Sequence, residues 1–217
     1  EMIYPGQYEI ELEFSGRISE NMHGIYPANF KLDGKADKLI ATQFESHHAR
    51  EAFPCIDEPE AKATFDLTLV TPPVQEVLAN TPVKSKKAAG QLQTTAFERT
   101  PKMSTYLLAF VYGDMGYKEA ITKDGVTVRA YATPDNVEHT TFALECAVKT
   151  LEFYNEYFDI PYPLAKCDFV ALPDFASGAM ENWGCITFRE QALLVDPKNT
   201  SLILKQYVAN VVAHELT

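Results

Sequence analysis

His214-Glu215-Leu216-Thr217 supplies the first four positions of H-E-x-x-H. In that helical motif two imidazoles one turn apart hold Zn²⁺ and the first glutamate activates a water. A His-Glu pair alone says little, because a histidine on an apolar helix face is most often a hydrogen-bonded core residue. A second constellation lies upstream, where Gly178-Ala179-Met180-Glu181-Asn182 stands between two short apolar runs, Phe169-Val170-Ala171-Leu172 and Cys185-Ile186-Thr187-Phe188. Taken singly, Glu181 reads as an exposed loop acid and Glu45 as a strand-edge acid in a chain with 30 acidic residues. Asp57 and Glu58 read as groups that hold a turn before Pro59. His47 and His48 read as surface or loop residues, since no third ligand stands at suitable spacing.

The elements that must carry these residues follow from periodicity. Tyr8, Ile10, Leu12 and Phe14 alternate with Glu9, Glu11 and Glu13, which predicts a half-buried strand with an acidic outer face. The same period returns at Phe65, Leu67 and Leu69 and at Val126, Val128 and Ala130, with turn chemistry at Asp33-Gly34 and Asp124-Gly125. Residues 1–133 are therefore expected to form a β-rich N-terminal domain. After Pro134 the spacing changes to three and four through Ala143, Ala147, Leu151, Tyr154 and Phe158, predicting a long helix that starts near Thr140 or Thr141 and ends before Pro161. From Asn199-Thr200-Ser201 a second helix places Ile203, Tyr207, Val211 and His214 on one face and Leu204, Val208 and Glu215 on the next. Its pattern has not ended at Thr217, and the chain begins at Glu1 and not at Met. The 217 residues are thus expected to be an N-terminal portion of a longer protein, lacking its first strands, with residues 134–217 the start of a second domain.

Composition narrows the function classes. A content of 46% hydrophobic residues with 13 Pro and 10 Gly describes a folded globular chain, not a low-complexity one. The formal charge of −11 disfavours nucleic acid or an anionic membrane as the main partner and suits a substrate that carries a cationic group. The longest apolar run, Tyr106 to Tyr112, is far shorter than the roughly 18 residues of a membrane span, and no secretory signal is visible. Cys55, Cys146, Cys167 and Cys185 fall in no C-x-x-C spacing, so reduced thiols and a cytoplasmic location are expected.

The Gly178–Asn182 string resembles the G-A-M-E-N signature of the aminopeptidase N family of zinc metallopeptidases, of the gluzincin type, and the His-Glu pair follows it in the family's order. Leu172-Pro173-Asp174-Phe175 before it and Trp183-Gly184 after it agree. Upstream, Thr42-Gln43-Phe44-Glu45, Ala49-Arg50 and Ala52-Phe53-Pro54-Cys55-Ile56-Asp57-Glu58-Pro59 resemble that family's T-Q-F-E and A-F-P-C-x-D-E-P stretches, so the likeness covers nearly the whole chain from about residue 25. The resemblance implies a mainly β N-terminal domain, sandwich- or saddle-like, followed by the first part of an α+β thermolysin-like catalytic domain. It also implies hydrolysis of the N-terminal residue from peptides with a free N-terminus.

Carried over by position, the resemblance makes His214 the first ligand of one Zn²⁺ and Glu215 the general base. Glu181 and Glu45 would hold the substrate ammonium, Gln43 would line the pocket for the first side chain, and Gly178 and Ala179 would lie beside the substrate backbone. The remaining ligands and the tyrosine that stabilises the tetrahedral intermediate would fall beyond Thr217, so the 217 residues alone are expected to be inactive. The same architecture also serves as a non-catalytic interaction scaffold and as an epoxide hydrolase. An intact G-A-M-E-N with His-Glu argues against the scaffold, which has no use for an ammonium clamp.

Overall fold

In the computed structural model, which describes residues 4–217, Asp33 and Gly34 both take positive φ, 50° and 78°. That two-residue turn matches the twist of paired strands. It folds β1 (Gly24–Leu32) onto β2 (Lys35–Gln43) as an antiparallel hairpin running from Leu32 opposite Lys35 to Gly24 opposite Gln43. There follow β3 (Thr68–Thr71), β4 (Glu76–Ala79), β5 (Val83–Ala89), β6 (Leu92–Phe97), β7 (Phe110–Gly113), β8 (Gly116–Ile121) and β9 (Thr127–Ala132). The helix α1 (Thr141–Phe158) leads to β10 (Lys166–Leu172), β11 (Ala179–Met180), β12 (Cys185–Arg189), the single turn α2 (Glu190–Leu193) and α3 (Leu202–Glu215). The chain is thus β-rich first and helical later, as the change of period implies.

Three sheets result, with strand orders β1-β2-β7-β4, β3-β6-β5 and β11-β12-β10-β9-β8. In the last, β10 runs parallel to both β9 and β12. A parallel neighbour in sequence needs a crossover, and α1 supplies it between β9 and β10. Because β9 pairs with β10 and β8 with β9, one sheet spans the 133/134 boundary expected from periodicity. The change at Pro134 marks the passage from strand to helix inside one sheet-and-helix layer.

Every residue of β10 is buried, as befits a parallel strand covered on both faces. Cys167, Phe169 and Ala171 pack with Ala143, Ala147 and Leu151 of α1. Val170 and Leu172, on the opposite face, pack with Leu39, Leu78, Met103 and Val111 from the first layer. Lys166 and Asp168 share that second face by the same alternation, and the Lys166 ammonium donates to Ala79 O (2.5 Å), Asp168 Oδ2 (2.6 Å) and Gly184 O (2.7 Å). Beside it, the Asn80 amide donates to Leu107 O (2.8 Å) and Trp183 O (2.9 Å) while its Oδ1 accepts from Ala109 N (2.9 Å). Gly184 sits at φ 73°, and a Cβ there would lie 2.2 Å from Asn80 O, so only glycine lets the two layers close.

One expectation fails. The strand predicted over Tyr8–Phe14 does not form, and Tyr8, Ile10, Leu12 and Phe14 are 63%, 78%, 60% and 55% exposed. Alternation creates an apolar face, but a strand needs a ladder partner, and among the described residues none pairs with it. The helix α3 forms as the spacing predicts, with Ile203 and Tyr207 outward and Val208 and Val212 buried. The helix docks through that narrower stripe against α1 and α2. Among the described residues no helix is long and apolar enough to cross a membrane, and the four cysteines are free thiols, as expected.

The Lys166 junction yields a stability prediction. Lys166→Met should cost about 3–5 kcal/mol in urea denaturation, because it leaves the Asp168 carboxylate buried without its cation. A Lys166→Met/Asp168→Leu pair should recover most of that loss. Equal destabilisation of the single and double variants would show that the charge pair is not what holds the junction.

Candidate active site

β11 is a two-residue edge strand, Ala179 opposite Phe188 and Met180 opposite Thr187, and its outer side faces no other strand among the described residues. The approach to it is fixed by Arg189, whose backbone N donates to Gly178 O (2.9 Å) and whose guanidinium donates to Phe175 O (3.0 Å) and to Ala176 O. Asn182 fixes the exit, its amide on Thr187 Oγ1 (3.2 Å) and its O accepting from Cys185 N (3.0 Å). Met180 and Asn182 are buried, so Glu181 between them is the residue turned outward. Tyr26 Oη on Asp174 O (3.1 Å) and Asn29 N on Asp174 Oδ2 (2.8 Å) tie the preceding loop to β1.

Glu45 is placed by the end of β2. Phe44 is fully buried and Glu45 is the first exposed residue after it. The turn that follows is held by Asp57, which accepts from Arg50 N (3.0 Å) and Nε (3.1 Å), as expected of a structural acid. Gln43, two residues before Glu45, is 6% exposed, and its Oε1 has no hydrogen-bond partner among the described residues. Such an atom is an acceptor awaiting water or ligand. Gln43 contributes no side-chain hydrogen bond to the acidic cluster described next.

His214 and Glu215 lie on the last turn of α3. Ser201 caps the helix start, its Oγ accepting from Leu204 N (3.3 Å). The Tyr154 hydroxyl of α1 donates to Ala213 O (3.2 Å) next to His214. His214 is exposed and Glu215 half-buried. Burial first, then the charges of Glu181 and Glu45, push the Glu215 carboxyl up to about 7. Glu181, just after β11, and Glu215 of α3 line one cavity, and Glu45, just after β2, lies near enough to act on the same carboxyl, so the three form an acidic cluster. A cavity of about 280 Å³ lined by Glu181, Glu215, Trp183, Tyr162 and Leu164 opens beside it.

Tyr106 is the member that sequence reasoning missed. Its hydroxyl donates to Glu181 Oε1 at 3.5 Å, and its phenol is pushed up by burial and then by Glu181 and Glu45. It sits on the short helical turn Thr105–Leu107, anchored where the Ser104 hydroxyl donates to Pro59 O (2.6 Å). The only signal in the sequence was a hydroxyl opening the apolar run to Tyr112, and nothing there ties it to Glu181.

Imidazole and carboxylate are donor types that a zinc-class dication takes, and such an ion would offset the charge that raises Glu215. His214 directly precedes Glu215 on the last turn of α3. They fit one corner of a catalytic zinc site, which takes three protein ligands and a water.

The model for the Peptidase M1 N-terminal domain matches residues 1–107, and that for the Peptidase family M1 domain matches residues 142–217. Aminopeptidase N of Lactococcus lactis subsp. lactis (strain IL1403) is 48% identical over 213 residues, 97% of this chain and 25% of that protein. Aminopeptidase M1-A of Oryza sativa subsp. japonica is 47% identical over 216 residues, 100% of this chain and 25% of that protein. The Puromycin-sensitive aminopeptidase of Caenorhabditis elegans is 47% identical over 215 residues, 98% of this chain and 23% of that protein. The chain belongs to the peptidase M1 family. It spans about a quarter of the length of the curated relatives it matches.

The acidic cluster can be read by titration. In the metal-free chain, Glu181→Gln and Glu45→Gln should each lower the Glu215 midpoint from about 7, Glu181→Gln the more, as followed by ¹³C NMR of labelled glutamates. A carboxyl raised from its ordinary 4.5 binds its proton more tightly when folded, so this group should remove stability as pH rises from about 4.5 through 7. An unmoved midpoint in both variants would mean that the three charges do not meet.

Proposed function

We propose that these residues form the amine-binding part and one metal-binding corner of a zinc-dependent aminopeptidase acting on peptides with a free N-terminus. The carrying observation is the convergence of Glu45 and Glu181 on Glu215, with the Tyr106 hydroxyl on Glu181. An exopeptidase must measure one residue from a free amine. Two fixed carboxylates do this by charge-assisted hydrogen bonds to an ammonium, and an acylated terminus brings no charge to offset their repulsion.

In this reading Glu181 and Glu45 hold the α-ammonium, and Tyr106 positions Glu181 through its hydroxyl. The unpaired outer side of β11 lies along the substrate backbone, where the small residues Gly178 and Ala179 allow close approach. The unsatisfied Gln43 Oε1 lines the pocket for the first side chain. Glu215 takes the proton of the attacking water, and a carboxyl value near 7 in a half-buried site suits that task. Zn²⁺, held in part by His214, would supply Lewis-acid polarisation of the scissile carbonyl and acidify the water. Four free thiols fit a reducing compartment, and the proposed location is the cytoplasm. The 217 residues alone, with one imidazole at this site, are proposed to turn over no peptide.

The test compares an aminoacyl chromogenic amide with its N-acetylated twin, using the protein at the length of its relatives. Only the free amine should be cleaved, and equal cleavage of both would overturn the clamp. Glu181→Gln and Glu45→Gln should each lower kcat/KM by about 10- to 150-fold, the loss of one charge-assisted bond of about 1.5–3 kcal/mol. Zinc content should not change, since neither is a proposed ligand. Unchanged kinetics in Glu45→Gln would return that residue to a surface acid.

A further inference from the structure

We infer that His23, His48 and Glu51 form a second binding site, separate from His214, for a divalent transition-metal ion of the zinc class. The three come from two segments that the sequence does not connect. His23 immediately precedes β1, and His48 and Glu51 bracket the short helical turn Ala49–Glu51 that follows Glu45. His23 Nδ1 lies 2.8 Å from Glu51 Oε2, and His48 Nδ1 lies 2.8 Å from Glu51 Oε1, so each imidazole takes one oxygen of the same carboxylate. All three ligand atoms lie within 4.8 Å of one another. An ion at roughly 2.0–2.2 Å from each could be reached by side-chain adjustment alone.

The backbone is shaped for this approach. Gly24, at φ 67°, passes so near the turn that a Cβ there would stand 3.1 Å from Glu51 Oε2 and 3.3 Å from Glu51 Cβ. Any side chain at that position would press on the carboxylate that the two histidines share. The rings of His23 and His48 stack with centroids 4.0 Å apart at 21°, which sends both Nδ1 edges toward the same point. His47 packs on His48 at 4.6 Å, its own Nδ1 engaged with Ser46 Oγ at 2.7 Å. The histidine pair thus has restricted rotamers before any ion arrives.

Charge also favours an ion there. The Glu51 carboxylate gives the site a negative charge that both imidazoles face. A divalent cation bound at the two Nδ1 atoms, with each ring's single proton on Nε2, has two neutral nitrogen ligands and one oxygen ligand, the mixed set that zinc-class ions take. Side-chain exposures of 31%, 22% and 40% for His23, His48 and Glu51 leave an open side for entry and for completing water ligands. His47 and His48 do lie in a turn, as read from the sequence, and folding brings His23 and Glu51 to His48.

The test uses the 217-residue chain carrying His214→Ala, so that α3 offers no imidazole, and Co²⁺ as a visible-absorption probe displaceable by Zn²⁺. One equivalent of Co²⁺ should bind with ligand-field bands, and His23→Ala/His48→Ala in that background should weaken it by at least about tenfold. Should the paired variant fail to fold, ¹⁵N-histidine spectra of the His214→Ala chain decide. Addition of Zn²⁺ should shift the ring nitrogens of His23 and His48. Absence of Co²⁺ binding, binding undiminished in the folded paired variant, or unmoved His23 and His48 signals would overturn the site. None of these outcomes bears on the ammonium clamp, whose readout is peptide cleavage.

Discussion

One buried ammonium joins the two layers of this protein. Lys166, 5% exposed, starts the central parallel strand and spends its three donors on the strand β4 of the first layer, on Asp168 of its own strand and on the carbonyl of Gly184. A buried charge is tolerated only when its donors are met, so the position of Ala79 relative to Gly184 is tightly constrained. Asn80 repeats the constraint with neutral groups, binding Leu107 and Ala109 on one side and Trp183 on the other. Burial of apolar faces would hold the layers together in many registers, whereas these directional bonds select one.

The acidic cluster inherits its geometry from that register. Glu181 stands three residues before Gly184, Tyr106 one residue before the carbonyl that Asn80 binds, and Glu45 one residue past the buried Phe44. Each is an outward-facing residue next to a fixed inward one, which is how a rigid scaffold presents mobile side chains accurately. The arrangement is electrostatically unfavourable as it stands: half-burial of Glu215 near Glu181 and Glu45 pushes its carboxyl far above the ordinary range. Structural acids in the same chain are treated differently, as with Asp57, which is buried but bonded to Arg50. Negative charge gathered beside a cavity is the feature on which the proposed amine-binding role rests.

Much of the architecture was legible because it depends on local chemistry. Asp33-Gly34 dictated a turn, the spacing from Ala143 to Leu151 dictated α1, and the two short apolar runs around Gly178–Asn182 became β10 and β12. Where the pattern misled, a partner decided the outcome. The alternation from Tyr8 to Phe14 lacks a ladder partner among the described residues, and of the apolar residues of α3 Val208 and Val212 are the buried ones. The period change at Pro134 was real, but a period reports the element and not the sheet to which that element belongs.

The sequence by itself determined which residues could do chemistry. Glu181, Glu45, His214 and Glu215 were recognisable because their neighbours form motifs of fixed order. It also determined the structural role of Asp57, since an acid before a proline turn has a local partner to hold. Only the tertiary structure decided that Glu181 and Glu215 line one cavity with Glu45 near by, that Tyr106 joins Glu181, and that His23 reaches His48 and Glu51. Those contacts join residues separated by tens of positions. Local spacing encodes the face a side chain occupies, whereas strand order and layer packing, fixed here by Lys166, Asn80 and Gly184, decide what stands opposite it.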